Sequence, residues 1–339
     1  MEKVDLERYE ITGRLGSGAD YDVKAATDRE TGMQVAIKRP VPQAISRNQH
    51  QAIEARTEKI LQAYDEIGFS TDLISPIVGY TEPAVHDAFF GDELGTKYRV
   101  VVEARASGIP LLGDMMSKFK GVPIGVGQNL FPIFPLVKPS SLPPHPIHNQ
   151  LLDLEEVYLK SGYMILDLRP QNIFYQPRLA QMTVIDTGAL VRLNDDAPRG
   201  RPPFDINDAC LEIIKFYTTP EEPPADPAGY RDSRGIRPIV DINQELDEMS
   251  RELSSCPASV VESGEIILAK IRERGYSEYA QFRTDLTAYL DQIDARNSEP
   301  AEASGAVQSW QEAALWLKED YWQGFLFDPE AEMADYLAQ

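Results

Sequence analysis

Cysteine is scarce in this chain. Cys210 and Cys256 are the two among 339 residues, too few for a disulfide framework, and they are expected as buried thiols in a reducing compartment. Basic residues are also in deficit: 33 Lys and Arg stand against 54 Asp and Glu, a formal net charge of −21. A nucleic-acid surface needs a basic stripe to replace phosphate counterions, and no such stripe occurs, so a nucleic-acid partner is excluded. The acidity favours solubility and, weakly, basic partners. His145 and His148 lie close together, but no Cys or His cluster supports a metal pair, so they are expected as exposed loop histidines. No apolar run could span a bilayer. The most apolar stretch, Val122 to Val137, is interrupted by Gln128, Asn129 and three prolines. The first residues, Met1-Glu2-Lys3-Val4-Asp5, lack the basic and apolar regions of a signal peptide. Together these absences predict a soluble cytoplasmic protein with no membrane partner. There are no internal repeats.

The 42% hydrophobic content suffices for one large bilobal domain or two ordinary ones. Tyr9 to Lys38 reads as three strands, with Val23, Ala25 and Thr27 alternating after a glycine turn. Ser46 is placed to cap a helix that runs to about Ile67 and stops at Gly68. Its stripe is Ile53, Thr57, Ile60, Tyr64 and Ile67. Ile74–Tyr80 and Tyr98–Glu103 are two further strands, so the first 103 residues read β-β-β-α-β-β. An irregular Pro/Gly-rich insert follows at 112–146. Helical periodicity returns from Ile147 to Ser161. Two apolar strands, Tyr163–Leu166 and Met182–Ile185, flank a hairpin-like segment. A buried helix is expected over Phe204–Thr218 and two or three more over Ile239–Ile293. Residues 294–306 read as a linker. Residues 307–339 form an acidic end whose helix, 307–327, carries Val307, Trp310, Ala314, Leu317, Tyr321 and Phe325 at 3–4 spacing, a stripe for its own domain or for a partner.

Four strings carry chemistry, in a fixed order. Gly16-Ser17-Gly18-Ala19-Asp20-Tyr21-Asp22-Val23 is a glycine turn whose backbone N–H groups could approach phosphate oxygens, since no Cβ intervenes. Val35-Ala36-Ile37-Lys38 ends an apolar strand on a cation. Asp167-Leu168-Arg169-Pro170-Gln171-Asn172 sits between two strands. Asp186-Thr187-Gly188 places a carboxylate just past a strand, which suits a magnesium ligand. Taken singly, each has a plainer structural reading: a glycine hairpin, a lysine at a sheet edge, an Asp/Asn turn. Asp-Thr-Gly is also the aspartic-protease string, but that would require a second copy or a dimer and would leave Asp167 idle.

In order and spacing these strings resemble the protein kinase superfamily, of the eukaryotic-like Ser/Thr type, over roughly residues 9–290. The resemblance implies an α+β bilobal fold with a β-rich N-lobe (1–103) and a helical C-lobe (104–293), binding ATP and Mg2+ between the lobes. It implies an ATP- and magnesium-dependent phosphotransferase acting on a protein or small-molecule hydroxyl. Under it Asp167 orients the attacking hydroxyl, Arg169 contacts the γ-phosphate, and Asn172 and Asp186 hold metal. Lys38 binds the α- and β-phosphates, held by Glu58, with Glu54 one turn away as the other candidate. Gly16 and Gly18 cradle phosphate, and Val23 and Ala36 line the base. The hinge is Val102-Glu103-Ala104-Arg105, with Val102 as gatekeeper. Asp205 would brace the catalytic loop. The chain also departs from the pattern. Tyr21 replaces a third glycine, Asp20 puts a carboxylate near phosphate, Arg169 replaces lysine, Ile165 replaces histidine and Thr187 replaces phenylalanine. Nineteen positions separate Asp186 from Asp205, with no Ala-Pro-Glu string and no Ser or Thr after Thr187. These departures keep a second reading open: a pseudokinase acting as a nucleotide-binding scaffold or regulatory interaction protein.

Overall fold

The structure is a computed structural model. It describes residues 1–68, 71–110, 146–166, 168, 172–176, 179–187, 190–195, 202–215, 217–218, 241–297, 324–328 and 331. The fold is α+β. The chain divides into two compact units, Met1–Ala106 and Ser107–Gln339. The insert expected at 112–146 lies outside the described residues except for Pro146, where a helix starts. The linker expected at 294–306 begins as helix, since the last helix runs to Asn297, and its remainder lies outside them. Of the helix expected at 307–327 only 324–327 are described.

The first unit is a six-stranded sheet with one long helix. In chain order it has β1 (Glu2–Lys3), β2 (Tyr9–Ser17), β3 (Tyr21–Asp28), β4 (Gln34–Pro40), α1 (Pro42–Ser46), α2 (Gln51–Ile67), β5 (Ile77–Tyr80), α3 (Asp87–Phe90) and β6 (Val101–Ala104). The spatial order is β1-β5-β6-β4-β3-β2. All neighbours are antiparallel except β1 and β5. Strand alternation sorts the side chains onto two faces. Ala26, Val35, Ile37 and Val102 lie on one face, in a core with Tyr9, Ile45, Tyr98 and Val100. On that face the Arg39 guanidinium is buried between Asp22 (3.3 Å) and Asp92 (2.5 Å) and lies 4.0 Å from the Phe90 ring. These contacts dock α3 on the sheet.

Ser46, expected to cap a helix running to Ile67, is instead the last residue of α1, and that helix starts at Gln51. Pro42 occupies the first turn of α1, where its missing N–H costs nothing. Asn48 then turns left-handed at φ 52°, which breaks the run before α2. The buried stripe of α2 is Ile53, Thr57, Leu61 and Tyr64 with Ala63, so Leu61 takes the place expected of Ile60. Gly68, at φ 61°, closes α2 in the left-handed region, its N–H donating to Tyr64 O at 3.1 Å.

The second unit contains β7 (Ile109–Pro110), α4 (Pro146–Lys160), β8 (Tyr163–Ile165), β9 (Ile173–Gln176), β10 (Gln181–Val184), β11 (Leu190–Arg192), α5 (Ile206–Ile214), α6 (Ile242–Leu253), α7 (Ala258–Arg272) and α8 (Tyr279–Asn297). Its small sheets are β10-β9-β7 and β11-β8. Gly108, at φ 97°, lets β7 approach β9 so closely that a Cβ there would sit 2.4 Å from Tyr175 O. Its N–H donates to Leu326 O at 2.8 Å, and Phe325 stacks beside Phe174 at 5.9 Å between centroids. Part of the C-terminal apolar stripe is thus covered by its own unit. Gly324 lies in a 3-10 turn, and residues 325–328 continue as bend and extended backbone. His148 is a further correction. It is buried on α4 against the Tyr217 hydroxyl, because Ile147 and Leu151 turn that face inward.

Candidate functional site

Consider first the sheet face opposite the core. Pairing sets Gly16 against Val23, Val23 against Lys38, Lys38 against Val101 and Ala36 against Glu103. The period of two therefore brings Gly16, Val23, Ala36, Lys38 and Glu103 onto one face. A Cβ added at Gly16 or Gly18 would meet nothing within 4 Å, and neither glycine has positive φ. Neither packing nor backbone strain accounts for glycine there, and the space above the turn is open.

The two departures in the glycine string have structural partners. The Asp20 carboxylate lies 2.6 Å from Arg56 on α2. Tyr21 Oη and Thr57 Oγ1, also on α2, share a hydrogen bond at 2.7 Å. Asp20 is thus paired with a cation, and the turn is tied to α2 on both counts.

Lys38 is buried, and its Nζ lies 2.8 Å from Glu103 Oε2, with both side chains about nine-tenths covered. This is not the expected partner. Glu58 is exposed, lining a surface depression of about 550 Å³ with Lys3, Leu61, Tyr80 and Arg99. Glu54 accepts from the Arg99 backbone N–H at 2.9 Å. The reason is rotational: the α2 face turned inward at this level carries Ile53 and Thr57. Val102 also differs from expectation. Its side chain is fully buried in the core of the other face, because it neighbours Ile37 rather than Lys38 in register. Along the expected hinge, the Ala104 and Arg105 N–H groups donate to Pro76 O and Gln34 O, each at 2.9 Å. Those donors extend the sheet.

In the second unit, Asp167, Arg169 and Gly188 lie outside the described residues. Asn172 and Asp186 are described, and the β9–β10 hairpin brings their backbones together. Ile173 pairs with Val184, and one step further the Ile185 N–H donates to Asn172 O at 2.8 Å. Asp186 follows directly with φ 59°. That left-handed turn is uncommon for a residue with a side chain, though Asp tolerates it. Asn172 and Asp186 therefore stand side by side along the backbone at the open end of the hairpin. Among the described residues no group of three His, Cys, Asp or Glu could hold a metal. Among them, too, no helix is long and apolar enough to cross a membrane.

The loop that Asp205 is expected to brace, 167–172, lies mostly outside the described residues. Asp205 caps α5 in a reciprocal capping box with Asp208 and pairs with Arg274 at 2.7 Å. The Leu168 N–H is accepted by Glu212 Oε2 at 3.2 Å, and Lys215 Nζ lies 2.5 Å from the same oxygen. Glu155, fully buried on α4, accepts the Ile165 N–H at 3.1 Å. Two buried carboxylates thus hold the backbone on either side of positions 166 and 167. Burial raises the Glu155 carboxyl well above the usual carboxylate range; the Ile165 N–H opposes this and the charge of Glu212 adds to it. Sequence reasoning missed both residues. Each is an acid inside an apolar helical stretch, Leu151–Tyr158 or Ala209–Ile214, and an ionisable residue on a core-facing stripe is the signal that could have found them.

Fold and face together define a two-unit α+β chain with an open glycine turn beside a buried, paired lysine. No model of a known protein family matches the sequence, and no curated protein matches it.

Proposed function

We propose that this chain is an ATP- and Mg2+-dependent phosphotransferase related to the serine/threonine protein kinases. The observation that carries the reading is the shared face of Gly16, Val23, Ala36 and Lys38, with open space over the glycines. In the proposal, Gly16 and Gly18 let phosphate approach the turn with no Cβ in the way, the Gly18 N–H itself donating to Tyr21 O at 2.9 Å; Lys38 neutralises phosphate charge, and Val23 and Ala36 flank the base. Asn172 and Asp186 hold the metal. Magnesium, when bound, supplies charge neutralisation on the phosphates. Asp167 accepts the proton of the attacking hydroxyl and Arg169 steadies the γ-phosphate. Most of the rate then comes from positioning and electrostatics, because phosphoryl transfer asks for little covalent help.

A nucleotide-binding scaffold is the second reading. It is favoured by the nineteen-position span from Asp186 to Asp205, which leaves little chain to grip a peptide. One experiment separates the two. The melting temperature of purified protein is followed with millimolar MgATP, and γ-phosphate transfer by intact mass, for wild type and Asp167→Asn. A phosphotransferase gives a stabilising shift in both proteins and transfer in wild type alone. A scaffold gives the shift without transfer. No shift in folded protein rejects the nucleotide site, and equal transfer by both proteins rejects the role of Asp167.

A further inference from the structure

Burying a charge is costly, and an ion pair inside a sheet is seldom more stable than apolar residues filling the same space. Around Lys38 such residues are at hand. Val23 and Val101 are its direct cross-strand neighbours, and Ala36 precedes it on the same face. Lys38 and Glu103 nevertheless meet there at 2.8 Å with both side chains largely covered. Hydrophobic stabilisation does not explain the pair; a need for an oriented cation does.

The orientation comes from register. Lys38 stands opposite Val101, and Glu103 lies two residues further along β6, on the same face. Diagonal positions of this kind sit about 7–8 Å apart at the backbone, within reach of long side chains. The two strands that carry the pair are fixed to each other through Val35 and Ala104, Ala36 and Glu103, Ile37 and Val102, and Lys38 and Val101. The helix takes a different part. Glu54 is held by Arg99, Glu58 is exposed, and α2 reaches the glycine turn through Arg56 and Thr57.

We propose that Glu103 is the positioning residue of Lys38, so that the sheet, and not α2, aims the phosphate-binding cation. This rests on the phosphotransferase reading for its purpose. The placement of Lys38 then does not depend on where α2 sits, and a shift of the helix acts on the glycine turn instead.

The test starts without nucleotide, on the full chain. Urea midpoints are measured for wild type, Lys38→Met, Glu103→Gln and the double variant, and in parallel for the cycle of Lys38→Met with Glu58→Gln. A Glu103→Gln effect that largely disappears once Lys38 is Met, with an additive Glu58 cycle, is the expected result. Additivity in the Glu103 cycle, or stronger coupling in the Glu58 cycle, overturns the proposal. MgATP affinity is then measured on the folded variants. Glu103→Gln should weaken binding at least about tenfold, the equivalent of about 1.4 kcal/mol, and Glu103→Asp should restore part of it. Unchanged affinity in Glu103→Gln overturns the positioning role even where the pair couples in stability. Should Glu103→Gln fail to fold, Lys38→Met/Glu103→Leu replaces the pair by apolar bulk, and it should keep the urea midpoint while losing MgATP binding. Retained binding in that variant also overturns the proposal. If wild type itself does not bind MgATP while the Glu103 cycle couples, it is the nucleotide reading that fails; Glu103 still holds Lys38.

Discussion

Replacing Glu155 by Gln should change how the stability of this protein depends on pH. The carboxyl is fully buried, one oxygen accepts the Ile165 N–H, and the other, Oε2, has no hydrogen-bond partner. Its folded-state pKa is well above the ordinary 4.5. Linkage gives the sign. Below pH 4.5 both folded and unfolded states hold the proton and Glu155 contributes no pH dependence. Above it the unfolded chain releases the proton while the fold retains it, so stability falls as pH rises, until the folded pKa is reached. The slope from this one group is about 1.4 kcal/mol per pH unit. Gln cannot titrate. Its amide oxygen can still accept from Ile165, and its NH2 stands where Oε2 lacks a partner, a penalty of about 1–3 kcal/mol that does not vary with pH. Urea unfolding of wild type and Glu155→Gln at pH 5, 6, 7 and 8, followed by far-UV circular dichroism, reads the difference. Glu155→Gln should gain on wild type as pH rises above 4.5, until the folded pKa is passed. A difference that stays constant with pH refutes a neutral buried Glu155.

Glu212→Gln should lower stability by about 1.5–3 kcal/mol, because it takes a charge-assisted hydrogen bond from the fully buried Lys215 ammonium; the urea midpoint checks this. Val102→Ala should lower stability by about 1.5–3 kcal/mol through lost core burial and leave MgATP affinity within twofold, since the side chain lies on the core face; a tenfold affinity change with a small stability loss would return Val102 to the ligand face. Tyr21→Phe removes the hydrogen bond to Thr57, worth about 0.5–1.5 kcal/mol, and should speed amide hydrogen exchange over residues 16–22; unchanged exchange there would mean that α2 does not restrain the glycine turn.

The sequence by itself determined the α+β class, the main strands and long helices and the location of the glycine turn, because these rest on local signals; the short elements β1, α1, α3, β7, β9 and β11 escaped it. Period-two alternation through Val23, Ala25 and Thr27, the left-handed stop at Gly68 and the apolar strand that carries Lys38 each act within a few residues. It also brought Asn172 and Asp186 into consideration, and the β9–β10 hairpin sets their backbones side by side. Partners across the fold were not legible. Lys38 meets Glu103 rather than Glu58 because strand register, set by pairing over many residues, decides which side chains share a face. Val102 turns into the core for the same reason. The contact of Glu212 with Leu168 depends on which face of α5 turns inward, which the capping box and the pairing of Asp205 with Arg274, 69 residues further along the chain, help to set. A charge in an apolar stretch announces that some buried partner exists. Which atom it meets is decided by packing between segments far apart in sequence, and no local pattern encodes that.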